Sequence, residues 1–181
     1  MANRFLFLAA WVLLSAGIVL ASARSHAVVE TVKDPDPLFA DEALLEVTFT
    51  APFRDLSRDR AEEPERRAGS LTWTDADGEQ TLPVEYEPRG KSRRDRNVCT
   101  FPPLWVHFEK DSIKGTLFKK QNKVKVVTYC RSPTNFQDYV VKEYLAYRIF
   151  NELSDASFRV RLARIHYQEA DSDRKPVTRY G

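Results

Sequence analysis

The sequence predicts an α+β domain: a small antiparallel sheet of five or six strands with one main helix packed on one face. Three observations predict it. Short runs of alternating apolar and polar residues recur along the chain, as half-buried strands require. Asp77-Gly78 lies between two of those runs, where a tight hairpin turn belongs. One segment, Asn135 to Leu153, carries apolar residues at the 3.6-residue spacing of a helix.

The elements follow in chain order. Arg4 precedes a run of sixteen uncharged residues, Phe5 to Leu20, and Ala21-Ser22-Ala23 follows it. Charge, apolar run and small residues at the cleavage positions make residues 1–23 a secretory signal peptide. The alternative is an uncleaved anchor, but a span needs about 20 apolar residues. The product is therefore expected to be exported, periplasmic or extracellular. A lipoprotein is excluded, since the first cysteine is Cys99. Residues 24–40 contain Asp34-Pro35-Asp36-Pro37 and read as an extended leader. Residues 41–181 are long enough for a single domain.

Within it, residues 43–50 alternate as a strand with Leu45, Val47 and Phe49 on one face. Residues 54–68 are almost entirely charged and read as a solvated loop, or alternatively a short exposed helix. Ser70–Thr74 and Gln80–Tyr86 flank the Asp75–Gly78 turn as a hairpin. Pro103–Phe108 is a strand, Lys110–Lys120 a polar connection, and Lys123–Cys130 a strand with Val124, Val126 and Thr128 opposite Lys123, Lys125 and Val127. The helix over 135–153 carries Phe136, Val140, Tyr144 and Tyr147 on its stripe, broadened by Leu145 and Ile149. Residues 157–168 read as a strand with Phe158, Val160 and Leu162 facing the helix and Arg159 and Arg161 facing away. Its alternation slips at Ala163-Arg164, which suggests a bulge. Glu169–Lys175 is a polar turn, and Pro176–Gly181 begins a further strand.

Charge and motifs narrow the function classes. Without Arg4 there are 27 Lys and Arg against 26 Asp and Glu. That balance supplies no bulk attraction for nucleic acid or a membrane surface, and neither is an expected partner of the mature chain. Gly90-Lys91-Ser92 lacks the earlier glycine of a phosphate loop, because position 85 is Glu85. Asp75-Ala76-Asp77-Gly78 lacks the donor series of a calcium loop. His26, His107 and His166 are scattered, so no metal site is expected. No G-x-S-x-G marks a hydrolase, and no residue is singled out as catalytic. Cys99 and Cys130 are an even pair in an exported chain, which favours a disulfide over two buried thiols. The remaining candidate site is basic: Arg89, Lys91, Arg93, Arg94 and Arg96. Their forked or point-charge donors suit a phosphate or an anionic glycan, whereas the bland alternative is a solvated charge run.

Arg89-Gly90 after a strand, the strand PLWVHF, Leu117-Phe118, the strand KVKVVTY and the helix 135–153 occur in a characteristic order. As an ordered set, residues 80–181 resemble the N-terminal part of the spore coat protein H (CotH) kinase-like family. The resemblance implies an atypical kinase fold, with a small antiparallel N-lobe sheet carrying one helix, and ATP and Mg²⁺ as the family's cofactors. Where the family places a nucleotide-contacting lysine, this chain has Cys99-Thr100-Phe101-Pro102-Pro103. The family's metal-binding and catalytic acids would lie beyond Gly181. The expectation is thus a truncated lobe, non-catalytic as it stands, with no cofactor of its own. The competing expectation is a binding or structural module of the cell envelope that meets an anionic component through the 89–96 loop.

Overall fold

The computed structural model describes residues 36–181. The expected signal sequence, residues 1–23, and the leader up to residue 35 lie outside the described residues. The end of the leader, expected to be extended, forms a helical turn, α1 (Pro37–Ala40), with a proline in its first turn. Proline is tolerated there because that N–H has no intrahelical acceptor. Leu38 is buried in the core, so this segment belongs to the folded unit.

Seven strands make one sheet: β1 (Leu45–Ala51), β2 (Arg67–Asp75), β3 (Gly78–Pro88), β4 (Leu104–Phe108), β5 (Lys123–Val126), β6 (Ala163–Glu169) and β7 (Val177–Tyr180). Their order is β5-β4-β3-β2-β1-β6-β7. The expectation of five or six antiparallel strands is corrected on both counts. β1 pairs β6 in parallel, Val47 opposite Ile165 and Phe49 opposite Tyr167. β7 then pairs β6 antiparallel and becomes the seventh strand. Parallel pairing needs a long crossover connection, and here it joins segments more than a hundred residues apart, which no local pattern reports.

Alternation decides which side chains enter the core. Val47 and Phe49, Leu71 and Trp73, Leu82, Val84 and Tyr86, Leu104 and Val106, and Ile165 and Tyr167 are all buried. The hairpin forms at Asp75–Gly78, where Gly78 has φ +105° and Asp75 Oδ1 accepts the Asp77 N–H at 2.9 Å. Gly69 on β2 has a different role. A Cβ there would lie 2.2 Å from the Thr50 carbonyl and 2.9 Å from the Tyr86 ring. Its absence lets Tyr86 cross the strand and donate its hydroxyl to the Ser70 carbonyl at 2.7 Å.

The charged run 54–68 is not a uniform loop. Its start is taken up by α2 (Phe53–Arg58), which begins one residue earlier and buries Phe53 and Leu56. Phe53 enters a cluster of six rings with Phe49, Tyr86, Phe101, Tyr129 and Tyr167, with centroids 4.9–5.9 Å apart. α2 thus covers the sheet where α3 (Phe136–Leu153) was expected. α3 has the expected span, but only Val140 on it is buried. It is held mainly by polar ties: Gln137 Oε1 accepts the Tyr180 N–H at 2.6 Å, Asn151 donates to the Phe158 carbonyl at 3.0 Å, and Arg148 pairs with Glu42.

Residues 157–162 correct a second expectation. They are not a strand, and β6 starts at Ala163, where the alternation slips. Phe158 is 65% exposed. The Arg161 side chain is only 8% exposed, although it was expected to face water. It donates to the carbonyls of Ala43 at 3.1 Å and Leu38 at 3.2 Å and pairs with Asp41 at 2.9 Å. Those carbonyls belong to α1 and to the turn after it, and an arginine is the side chain with enough donors to satisfy them at once.

Cys99 and Cys130 form a disulfide with Cα atoms 4.8 Å apart. The Cys130 carbonyl also accepts the N–H groups of Thr100 and Phe101, so the end of the basic segment is fixed to the chain leaving β5. The sheet curls. A Cβ on Gly181 would lie 3.1 Å from the Val127 carbonyl and 3.4 Å from Val126, so the chain leaving β7 meets the chain leaving β5.

Candidate functional site

Where the two edges of the curled sheet meet, α3 and residues 157–161 enclose a cleft of about 670 Å³. One wall is the outward face of β4 and β5. Trp105 lies directly opposite Lys125 in the ladder, and His107 opposite Lys123. Alternation places Leu104, Val106 and Val126 in the core, so Trp105, Lys123 and Lys125 must share the other face. The Trp105 ring gathers three cations: Lys123 Nζ at 4.4 Å from its centroid, the Arg89 guanidinium at 5.2 Å and Lys125 Nζ at 5.5 Å. Lys125 Nζ is also 4.5 Å from the Phe158 ring. Each such contact contributes about 0.5–1 kcal/mol at an exposed site.

Arg89, Lys123 and Lys125 form no salt bridge among the described residues. Glu143, on the α3 wall, is the acid that acts on Arg89. Burial lowers the Arg89 pKa, Arg93 lowers it further by repulsion, and Glu143 and Tyr147 oppose both. The guanidinium stays charged, because its ordinary value is far above neutrality. The other acid on the cleft wall, Asp36, is already committed to Gln121 at 3.0 Å and Lys120 at 3.7 Å. The apolar part of the lining comes from Val124, Val127, Val140 and Phe158.

The five basic residues of 89–96 therefore separate. Arg89 turns into the Trp105 cleft. Lys91, Arg94 and Arg96 line a shallower pocket of about 430 Å³ together with Arg60 and Asp95. Arg93 is exposed and lines neither. Arg94 is structural: it donates to the carbonyls of Gly90 at 2.9 Å, Glu62 at 3.2 Å and Ala61, tying the loop after α2 to the basic segment. Sequence reasoning missed Lys123, Lys125 and Trp105 as site residues. Their common face was legible from alternation, but the wall opposite them was not.

One hydrogen-bonded chain has the order of a hydrolase triad. Thr178 Oγ1 lies 2.8 Å from His166 Nδ1, and His166 Nε2 lies 2.8 Å from Glu46 Oε1. It crosses the open outer face of β7, β6 and β1 and lines neither cleft. Without an enclosing wall or oxyanion donors it lacks what acyl transfer needs. Among the described residues, no three His, Cys, Asp or Glu side chains converge as a metal site would require, and no helix is long and apolar enough to cross a membrane. No family model matches the chain, and no curated protein or solved structure matches it significantly.

Proposed function

We propose that this domain is a binding module of an exported protein, that it takes an anionic ligand with a flat or apolar portion in the Trp105 cleft, and that it is non-catalytic as it stands. The observation that carries the reading is the set of three cations gathered on one indole inside a cleft of about 670 Å³: Lys123 and Lys125, which form no salt bridge among the described residues, and Arg89, which only Glu143 opposes. Charged groups with no protein counter-ion favour an anion that replaces part of their lost hydration. The apolar lining would take the uncharged portion of the ligand. A component of the cell envelope, such as an acidic glycan or a phosphate ester, has this chemistry.

A second reading follows the resemblance to CotH-like kinases. One specific relation favours it: Lys125 on β5 and Glu143 on α3 line the same cleft, and kinase lobes pair a strand lysine with a helix glutamate to hold nucleotide phosphates. In that reading the anion is ATP, bound with Mg²⁺.

The two separate in one titration of the purified protein with ATP–Mg²⁺, pyrophosphate, adenosine and an acidic oligosaccharide, read by tryptophan fluorescence. Trp11 lies in the expected signal sequence, absent from a protein that begins at Arg24, and Trp73 is buried, so the responsive signal belongs to Trp105. The module reading expects quenching by the polyanions, weakened about tenfold or more by Lys125→Ala. ATP binding well above that of pyrophosphate, dependent on Glu143, selects the kinase-lobe reading. Silence toward every anion overturns both. Export is tested separately: N-terminal sequencing of the extracytoplasmic protein should begin at Arg24.

A further inference from the structure

The shallower pocket holds a feature independent of the Trp105 cleft. Arg60 follows α2, and its guanidinium lies against the basic segment. Its Nε and Nη2 atoms are shut off from solvent and have no hydrogen-bond partner. Nη1 alone is satisfied, by the Asp59 carbonyl at 3.2 Å. The neighbouring carboxylate is committed elsewhere, since Asp59 accepts the N–H groups of Ala61 at 3.1 Å and Glu65 at 3.0 Å and lies 4.0 Å from Arg67.

The surroundings increase the cost. Four cations, Arg60, Lys91, Arg94 and Arg96, line the pocket with one acid, Asp95. Burial lowers the Arg60 pKa, and repulsion from Arg96 and Arg94 lowers it further, only partly offset by Asp59 and Asp95. Asp95 Oδ1 is occupied by the Asn97 N–H at 2.8 Å. Buried donors left unmade are costly, and repulsion from the neighbouring arginines adds to that cost. A like-charge cluster would relax if its frame could move, but this frame is fixed. Arg94 ties it to Gly90 and Glu62, the Asp95 carbonyl accepts the N–H groups of Val98 and Cys99, and Cys99 is bridged to Cys130.

We propose that Arg60, Lys91 and Arg96 form an anion site for a tetrahedral oxyanion, a phosphate or sulfate ester group, with Arg94 holding the two loops that make it. The orphaned Nε and Nη2 of Arg60 are the two adjacent donors that a forked contact with such a group uses, and because both are shut off from solvent the side chain turns toward the pocket to present them. Lys91 and Arg96 are exposed at the rim and supply the remaining charge. The pocket is larger than the group itself, which leaves room for the ester's carbon skeleton toward solvent.

The test uses calorimetry on the purified Lys123→Ala/Lys125→Ala protein, which lacks two cleft cations, so that the outcome does not depend on the Trp105 reading. Inorganic phosphate and sulfate are titrated at constant ionic strength. The expected result is saturable binding to this protein, weakened about tenfold or more by adding Arg60→Gln or Arg96→Ala. Arg96 is exposed, so its variant decides the matter if Arg60→Gln does not fold. Phosphate binding that tightens as pH rises through about 7, where the inorganic ion takes its second negative charge, about one unit above a phosphate monoester, against pH-independent sulfate binding supports recognition of the dianion. No saturable binding of either anion, or binding unchanged by Arg96→Ala in a folded protein, overturns the proposal.

Discussion

The ring cluster under the sheet and the α3 wall of the cleft are both rich in large apolar side chains, yet they differ in almost every other respect. Phe49, Phe53, Tyr86, Phe101, Tyr129 and Tyr167 come from strands, α2 and two connections, and pack together mostly edge to face or tilted, with Phe101 stacked on Tyr129. On α3, Tyr139, Leu145, Ile149, Phe150 and Leu153 all face outward, with Ile149 64% exposed. The first region joins segments distant in sequence and so carries the cooperative stability of the domain. The second is attached by a few polar contacts and one buried valine, so its unfolding free energy lies at the low end of the molecule's range. Stability and the helical wall of the cleft are thus assigned to different layers.

The strongest way to break this comparison is to truncate one residue in each region. Tyr86→Ala should destabilise by about 3–5 kcal/mol, the usual cost of emptying a buried aromatic site. Ile149→Ala should fall within about 0.5 kcal/mol of the parent, as exposed substitutions do. Urea denaturation reads both, and similar losses would show that α3 is a core element after all.

The disulfide comes next. Replacing Cys99 and Cys130 together by alanine should cost about 3 kcal/mol through the loop it closes. Chemical denaturation of the double variant, beside mass spectrometry of the parent without reductant, checks both the bridge and its contribution. Two alkylatable thiols in freshly isolated protein would remove it.

A smaller effect separates the two arginines expected to be equivalent. Arg161→Ala leaves the Leu38 and Ala43 carbonyls without their donor and should cost about 1–3 kcal/mol. Arg159→Ala removes only an exposed pair with Asp155 and should cost at most about 1 kcal/mol. Thermal melts of the two variants give the order, and equal, mild losses would restore the strand reading of 157–162.

The smallest effect is acid sensitivity at the open face of the sheet. The hydrogen bond from His166 holds the Glu46 carboxyl below its ordinary 4.5, with the Arg164 charge adding to it. A carboxyl lowered in the folded state contributes stability above its unfolded value, and loses it as pH falls through the folded one. Glu46→Gln should therefore slightly flatten the fall in melting temperature below about pH 4.5. Coincident profiles would mean that this contact does not persist in solution.

Much of the sheet was legible because strand alternation is local. Val47 and Phe49, Leu104 and Val106, Val126, and Ile165 and Tyr167 face inward as their spacing requires, although β5 ends at Val126 and not at Cys130 as expected. The hairpin was legible because few residues other than glycine adopt the backbone of Gly78. The misses share one cause. Phe53 and Leu56 sit at the start of a charged run that looks solvated as a whole, Arg161 is buried by carbonyls more than a hundred residues away, and β6 pairs β1 across the same distance. The site divides in the same way. The common face of Trp105, Lys123 and Lys125 follows from period two, whereas Arg60 is one arginine among several until the fold brings Lys91 and Arg96 to it.

The meeting of β5 and β7 at Val127 and Gly181 makes the sheet a split ring. Six ladders join its strands into a spring, but among the described residues no ladder joins its two ends. The gap is where Lys125 and Phe158 stand. A small change of twist in each ladder adds around the hoop and appears at the gap as a much larger displacement, as in a snap ring. A ligand that spanned the gap, as proposed above, would act as a clasp, and the amide protons of β7 should then exchange more slowly.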